Sequence, residues 1–259
     1  MTNKTEISIV IPVRNEAGNI DQLIKEIEKS LKSKNYEIIY VNDGSVDNTE
    51  TELKNNLKKN KRLRIISHKI SQGQSAALRS GVIASKSPLI ATLDGDGQND
   101  PSDLKEMIEK IKKYKNELTL IGGVRVNRKD SKPRLWASSF AKYCRFFLLK
   151  DKHPDSGCGI KVFHKELFIK LPYFDHMHRF LSALASREGA NVLEFNVNHR
   201  ERAVGSSNYT NIGRLLVGIF DILGVIWLRK RMPKNTSSIE NFKRLGISNE
   251  LHFFLVNAN

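Results

Sequence analysis

Cysteine is scarce: the 259 residues hold only Cys144 and Cys158, too few and too isolated for a disulfide framework or a zinc site. Long apolar runs are missing as well. The best, residues 212–228, is interrupted by Arg214 and Asp221, whereas a membrane span needs roughly 20 predominantly apolar residues. It reads instead as a core helix or as an amphipathic helix lying in a membrane interface. Arg229, Lys230 and Arg231 behind it suit anionic headgroups. The polar start, Met1 to Glu6, carries no secretory signal, so a reducing, cytoplasmic setting is expected. There is no internal repeat and no low-complexity tract. Acidic residues are in deficit: 28 Asp and Glu stand against 43 Lys and Arg, for a net charge of +15 and a pI near 9.8. That balance calls for an anionic partner, whether nucleic acid, anionic lipid or a phosphorylated substrate. Neither interleaved exposed aromatics nor a known reading helix is evident, which argues against nucleic acid.

What is there is a regular alternation. Apolar β-branched runs at 7–13, 36–41, 63–67, 89–93 and 118–121 read as buried strands. Between them, 19–31, 47–57, 75–84 and 102–114 carry apolar residues at helical spacing, with Asp47 placed to cap the second of these helices. Strands alternating with helices predict an α/β fold, a doubly wound sheet of βαβ units. Ligands in such sheets bind outside the carboxyl ends of the strands. The second half is less regular. Residues 135–149 read as a helix with aromatics, 162–171 and 177–188 as helical or mixed, and 192–197 as a strand. The chain divides into a catalytic domain at 1–210, an amphipathic interface or core helix at 211–232, and a polar tail at 233–259.

The strongest motif is Asp94-Gly-Asp96-Gly-Gln98, directly after the strand at 89–93. Carboxylates two residues apart at a strand end aim at one point when glycines let the loop turn. Such hard oxygen donors, with Gln98 as a neutral third, suit Mg²⁺ or Mn²⁺. An ion there would neutralise charge on a leaving diphosphate. Asn42-Asp43-Gly44-Ser45 follows the second strand, and there Asp43 is placed for a base edge or ribose, or for a turn. Pro12 ends the first strand, and Glu16 precedes the first helix.

IVIPVRNEAGNI, VNDGSVDNT, GQSAALRSG and LDGDGQNDP, in this order, resemble the family-2 inverting glycosyltransferases with a GT-A, Rossmann-like fold. GGVRVNRKDSKPRLWASS, DSGCGIKVF and RERAVGSSNY are similar to the subgroup that includes dolichol-phosphate mannose synthase and the bacterial polyprenyl-phosphate glycosyltransferases. The resemblance covers residues 7–228. It implies that Pro12, Glu16 and Asp43 hold the nucleoside. It makes Asp94, Asp96 and Gln98 the metal and diphosphate motif, with Mg²⁺ or Mn²⁺ as cofactor. Arg125, Arg134 and Ser138 match binders of the acceptor phosphate. Arg202, in a pattern completed by Gly205 and Ser207, matches a diphosphate-binding arginine. Asp96, Arg125 and Arg134 are the residues expected to carry catalysis. Asn42 stands where relatives often have a first Asp, which leaves the base open. Asn208 replaces a basic residue. The acidic residue near the Ser-Gly turn is Asp155, where relatives often carry it at the position of His153.

The expected reaction is transfer of sugar from a UDP- or GDP-linked donor to a polyprenyl phosphate. A phosphate acceptor is already ionised near neutral pH and needs positioning rather than a general base. The arginines match that need, since guanidinium binds phosphate bidentately. Because relatives often carry membrane helices that this sequence lacks, a peripheral enzyme on the cytoplasmic face, docked on an anionic surface, is expected. The alternatives are a glycosyltransferase acting on a hydroxyl, a nucleic-acid-binding module, and a non-catalytic nucleotide-sugar sensor.

Overall fold

The structure, a computed structural model, describes residues 5–114, 117–126, 146–200 and 211–231, with the backbone alone for 211–217 and 219. Its first half follows the alternation of the sequence. β1 (Ile7–Val13) and β2 (Tyr36–Asp43) are buried along nearly their whole lengths, as runs of β-branched and aromatic residues covered on both faces should be. α1 (Ile20–Ser30) buries Ile20, Leu23, Ile24 and Ile27, one stripe at helical spacing. α2 (Thr49–Lys59), β3 (Leu63–His68), α3 (Gln74–Ala84), β4 (Leu89–Thr92) and α4 (Asp103–Lys112) continue the pattern. Asp47 accepts from the backbone N–H of Thr49 (3.0 Å) and of Ala17 (3.2 Å), so it opens α2 and also ties the loop after β1 to the loop after β2.

β5 (Thr119–Arg125) runs four residues beyond the strand expected at 118–121. Gly122 and Gly123 are strand residues with crowded surroundings. A Cβ on Gly122 would lie 2.3 Å from His153 Nε2, and one on Gly123 2.6 Å from Ile160. β6 (Lys161–His164) and α5 (Lys165–Lys170) follow, then a 3-10 turn at Met177–Arg179, α6 (Leu181–Arg187), β7 (Asn191–Val197) and α7 (Asn211–Arg231). The sheet has seven strands in the order β3-β2-β1-β4-β6-β5-β7. All neighbouring pairs are parallel except those of β6, which runs antiparallel to both β4 and β5. The mixed, doubly wound architecture is therefore as expected, and it reverses direction between β1 and β4. At that switch point the carboxyl ends of adjacent strands open a crevice.

α3 packs closely on the sheet through Gly81. A Cβ there would fall 2.3 Å from Val10 Cγ1 and 3.0 Å from Val41 Cγ2, and valine side chains are stiff at χ1. Gly81→Ala is expected to lower stability by about 1–3 kcal/mol through overpacking. Alanine's better helix propensity offsets about 1 kcal/mol of the strain at most. A urea melt measures the balance, and a gain in stability would show that α3 can move off the sheet.

α7 packs one face on the core and leaves the other exposed. Val225 is fully buried, and Ile222 and Ile226 pack beside it on the cluster of Leu149, Phe180 and Leu184. Phe220, Leu223 and Trp227, at spacings of three and four, are exposed. Arg229, grouped with headgroup-facing cations in the sequence, is turned inward. It donates to the carbonyl of Ala183 (2.7 Å), while its own carbonyl accepts from Arg187 Nε (3.3 Å). Lys230 and Arg231 remain exposed. Among the described residues no helix is long and apolar enough to cross a membrane. The tail at 233–259 and most of the helix expected at 135–149 lie outside the described residues; 146–149 are helical.

Candidate active site

The acidic loop sits at the switch point because glycine lets it. Gly95 lies so close to the end of β1 that a Cβ would meet Val13 Cγ1 at 2.3 Å, and Gly97 takes a left-handed φ of +72°. The turn closes on itself. Asp94 N–H donates to Asn99 Oδ1 (2.9 Å), and Gln98 N–H donates to Asp96 Oδ1 (3.1 Å). Gln74, the first residue of α3, donates from Nε2 to Asp94 Oδ1 at 3.2 Å. Burial, reinforced by the charge of Asp96, pushes the Asp94 carboxyl up to about 6, while Lys161 and Arg125 pull the other way. Two carboxylates forced together in a partly desolvated loop are a cation-seeking arrangement. Among the described residues no group of three or more His, Cys, Asp or Glu forms a closed cage. Two aspartates with an amide oxygen nonetheless fit a Mg²⁺- or Mn²⁺-type ion, which leaves positions for water and phosphate oxygens.

Gln98 has a second engagement. Its Nε2 donates to the carbonyl of Arg200 (3.3 Å), and Arg200 N–H donates back to the carbonyl of Gln98 (3.0 Å). Arg200 itself is gripped by Glu26 (2.8 Å) and Asp100 (2.7 Å). The acidic loop is thus laced to the chain that leads into residues 201–210. Arg202, Gly205 and Ser207 lie in that stretch, outside the described residues, as do Arg134 and Ser138.

Arg125 ends β5 on the far side of β6. Its Nε and Nη2 donate to Asp155 Oδ2 and Oδ1, both at 2.7 Å, and its backbone N–H donates to Oδ2 at 3.2 Å. Burial works to lower the guanidinium, but the hydrogen bonds and charge of Asp155 hold it above its ordinary value. The grip uses one edge of the guanidinium; Nη1 takes no part in it. Asp155 is fixed in turn by a buried relay. Its N–H donates to His153 Nδ1 (3.2 Å), His153 N–H donates to Asp151 Oδ1 (3.1 Å), and Ser182 Oγ donates to Asp151 Oδ2 (2.9 Å).

The glycine-rich turn at 155–159 joins the two halves. Gly157 faces Arg125 Nη2, and a Cβ on Gly159 would fall 2.0 Å from Asp94 Oδ2. Thr92 Oγ1 holds this turn through the carbonyl of Gly159 (2.6 Å). Lys161, one residue beyond Ile160, sits in register with Thr92 of β4 and Gly122 of β5. It is buried, donates to the carbonyl of Cys158 and lies within the field of Asp94 and Asp155; burial lowers its ammonium below the ordinary value.

On the other flank, Pro12 pairs with Val41 near the end of β1, and Asn19 Nδ2 donates to Glu16 Oε2 (3.0 Å). Asp43 is buried at the end of β2. Its Oδ1 accepts from His68 Nδ1 (2.7 Å) and Gln72 N–H (2.8 Å), and its Oδ2 accepts from Ser71 Oγ (2.7 Å) and Gly73 N–H (2.9 Å). Burial works to raise this carboxyl, but these hydrogen bonds outweigh it and leave it below the usual value.

The structure therefore brings Pro12, Glu16, Asp43, Asp94, Asp96, Gln98 and Arg125 to one end of the sheet. Sequence reasoning named Asp155 without giving it a partner, and missed the supporting groups Lys161, Gln74 and His68. The one available signal was the DSGCGIK segment itself, where acid and lysine flank five small or apolar residues. His176 and His178 are each paired within the fold. His176 Nδ1 pairs with Asp221 Oδ2 of α7 (3.0 Å), and His178 Nδ1 with Ser75 Oγ (2.8 Å).

Comparison with known proteins bears on the family and the fold. The chain is 31% identical over 234 residues to dodecaprenyl-phosphate galacturonate synthase of Rhizobium johnstonii, covering 87% of this chain and 68% of that one. It is 28% identical over 221 residues to undecaprenyl-phosphate 4-deoxy-4-formamido-L-arabinose transferase of Pseudomonas paraeruginosa, covering 84% and 64%. It thus spans about two thirds of the length of these relatives. Among solved structures, glucosyl-3-phosphoglycerate synthase of Mycobacterium tuberculosis, in complex with Mn²⁺, UDP and phosphoglyceric acid, superposes with a TM-score of 0.63. The identity is 16%, over 89% of this chain and 80% of that one, a likeness of fold. The glycosyl transferase family 2 profile matches residues 8–171, from β1 to the end of α5; by that match over more than half its length, the chain belongs to glycosyl transferase family 2.

Proposed function

We propose that the protein transfers a sugar, with inversion, from a nucleotide-sugar to a polyprenyl phosphate, with residues 1–210 as the catalytic domain. The observation that carries this reading is the shared turn at 155–159, with the Asp94–Asp96 loop on one side and the Asp155-held Arg125 on the other. A cation-seeking loop and a fixed guanidinium across a short turn suit a reaction in which one phosphate group departs as another attacks. The names of the two relatives, both polyprenyl-phosphate sugar transferases, support the acceptor class.

On the donor side, the loops carrying Pro12, Glu16 and Asp43 would hold the nucleoside. Asp94, Asp96 and Gln98 would hold Mg²⁺ or Mn²⁺, whose role is to neutralise charge on the leaving diphosphate. Arg202 would approach the same diphosphate. On the acceptor side, Arg125, with Arg134 and Ser138, would bind the lipid phosphate. Asp155 keeps Arg125 in one rotamer, so little entropy is lost when the phosphate arrives. An ionised phosphate oxygen then forms a bond to the anomeric carbon while the bond to the diphosphate oxygen breaks. The electron pair leaves with the nucleoside diphosphate, and no proton has to be removed from the nucleophile. A polyprenyl chain stays in the bilayer, so docking is required. The outward stripe Phe220, Leu223 and Trp227 on α7, and Phe146 and Phe147, are exposed apolar groups suited to a peripheral position on the cytoplasmic face.

The test is release of UDP or GDP from a panel of nucleotide-sugars, with Mg²⁺ or Mn²⁺, with and without undecaprenyl phosphate in detergent. Release that needs both lipid phosphate and metal, and is lost in Asp96→Ala, is expected. Metal-dependent release that ignores the lipid phosphate would move the acceptor to a hydroxyl.

A further inference from the structure

Gln98 is the neutral member of the acidic motif, and only one end of its amide can serve a cation. The oxygen can ligate one; the NH₂ group is a donor and cannot. The choice between the two ends is made from outside the loop. Gln98 Nε2 donates to the carbonyl of Arg200 (3.3 Å), and the planar amide then turns Oε1 to the opposite side. The backbone repeats the contact. Arg200 N–H donates to the carbonyl of Gln98 (3.0 Å), and His199 bridges Asn99 in antiparallel register. Asn99 in turn accepts from the Asp94 N–H. The segment 198–200 is itself held from two helices. Asn198 N–H and Nδ2 donate to Asp103 Oδ2 (2.8 Å) and Oδ1 (3.2 Å), at the first residue of α4. Arg200 Nη1 donates to Glu26 Oε2 of α1 (2.8 Å), and its Nη2 pairs with Asp100 Oδ2 (2.7 Å). With both terminal nitrogens on carboxylates, the Arg200 side chain is committed to α1 and the Asp100 turn, and its backbone is what reaches the acidic motif.

From this geometry, and resting on the donor-site reading above, we infer that Arg200 is a positioning residue for the acidic motif. Its carbonyl fixes the Gln98 amide with Oε1 free for a divalent cation, and its guanidinium, clamped between Glu26 and Asp100, fixes that carbonyl. The clamp is on the side chain and the contact is on the backbone, so a substitution at Arg200 loosens the amide without removing the atom that holds it. The sign of the effect separates this role from a simple charge effect. Taking away the cation of Arg200 would, by Coulomb attraction alone, tighten a divalent ion nearby. Loosening the group that orients a ligand weakens the ion instead, by about tenfold or more on the scale of outer-shell changes.

Mn²⁺ binding, followed through the electron spin resonance of the free ion with UDP or GDP present, provides the measurement. The proteins are wild type, Arg200→Ala, Arg200→Lys, Gln98→Ala, and Gln98→Ala combined with Arg200→Ala. Arg200→Ala is expected to weaken Mn²⁺ by about tenfold. Arg200→Lys keeps the charge but not the two-armed fork, and should fall between wild type and Arg200→Ala. The double variant should bind Mn²⁺ as Gln98→Ala does, because no amide remains to be oriented, and a double-mutant cycle reads that coupling directly. Unchanged or tighter binding in Arg200→Ala overturns the inference while the donor site stands. So does a tenfold loss that simply adds to the loss in Gln98→Ala, which would mean that Arg200 supports the loop as a whole. If Arg200→Ala does not fold, Glu26→Gln loosens the clamp from α1, and its effect on Mn²⁺ should likewise vanish when residue 98 is alanine. A wild type that binds no Mn²⁺ with either nucleotide overturns the donor-site reading and this inference with it.

Discussion

Asp94→Asn is expected to give a protein more stable than the wild type at pH 7 and slower in sugar transfer by about 10²- to 10³-fold, the scale on which removal of one fixed electrostatic group acts. Both effects have one origin. The Asp94 carboxyl is pushed from 3.8 to about 6 by burial and by Asp96. An acid whose pKa is raised on folding binds more protons in the native state, so its charge works against the fold as pH rises. The penalty is absent below pH 3.8, grows between 3.8 and 6, and is fully present above 6. Its ceiling is about 3 kcal/mol, and it is smaller here because Asp94 keeps some exposure to the crevice.

The stability difference between Asp94→Asn and wild type should therefore be near zero at pH 4 and level off above pH 6. Chemical denaturation across that range measures it. The other carboxylates are common to both proteins and cancel in the difference, Asp103, which burial also raises, among them. Asp43, Glu37 and Asp100 have lowered pKa values, so their contribution is present above their unfolded values and is lost only at more acidic pH. Mn²⁺ should raise the wild-type melting temperature at pH 7 and leave that of Asp94→Asn nearly unchanged, because a ligand stabilises only the form that binds it. No stabilisation of the variant at pH 7 would mean that the acidic loop is not strained by its own charge.

The half of the fold built from local patterns was legible, and so was the loop it delivers. β1 to β4 with α1 to α4 came from apolar periodicity, and the Asp94-Gly-Asp96 loop was recognisable because it follows a short apolar strand. What was hidden depends on partners far along the chain. β6 is four residues, Lys-Val-Phe-His, at the start of a stretch that reads as helical or mixed. It is a strand because β4 and β5 leave an antiparallel slot between them, with partners some 40 and 70 residues back. Lys161 is buried in that slot, where no pattern would place a lysine. β5 was cut short at 121 for a similar reason: seven register pairs with β7, far along the chain, carry the strand on to Arg125. In α7, periodicity alone did not separate the inward Ile222, Val225 and Ile226 from the outward Phe220, Leu223 and Trp227, because both stripes are apolar. Asp43 shows the opposite case. Its position was read correctly, but its four donors come from a segment whose folding around it no sequence pattern displays.

The Arg125–Asp155 pair is the other place where a single change should have a large effect. The two side chains are 18% and 10% exposed and joined by two bonds of 2.7 Å. Breaking one partner of a buried, hydrogen-bonded pair strands the other charge, which costs about 3–5 kcal/mol. Asp155→Ala should therefore destabilise the fold by about that much. The double variant Arg125→Met with Asp155→Leu should be closer to wild type in stability than either charge-stranding single variant, because no lone charge remains. Stability alone would show only a structural pair. The kinetic readout decides more: with Asp155 gone, Arg125 is no longer held beside the 155–159 turn and has to be ordered by the incoming acceptor. KM for the lipid phosphate should rise by roughly tenfold or more, while KM for the nucleotide-sugar changes little, since Asp94 and its loop are braced separately by Asn99 and Gln74. An equal rise in both KM values would mean that the 155–159 turn has shifted as a whole and carried Gly159 away from Asp94. Unchanged KM for the lipid phosphate would remove Arg125 from the acceptor site and leave the guanidinium as a strut between β5 and the glycine turn.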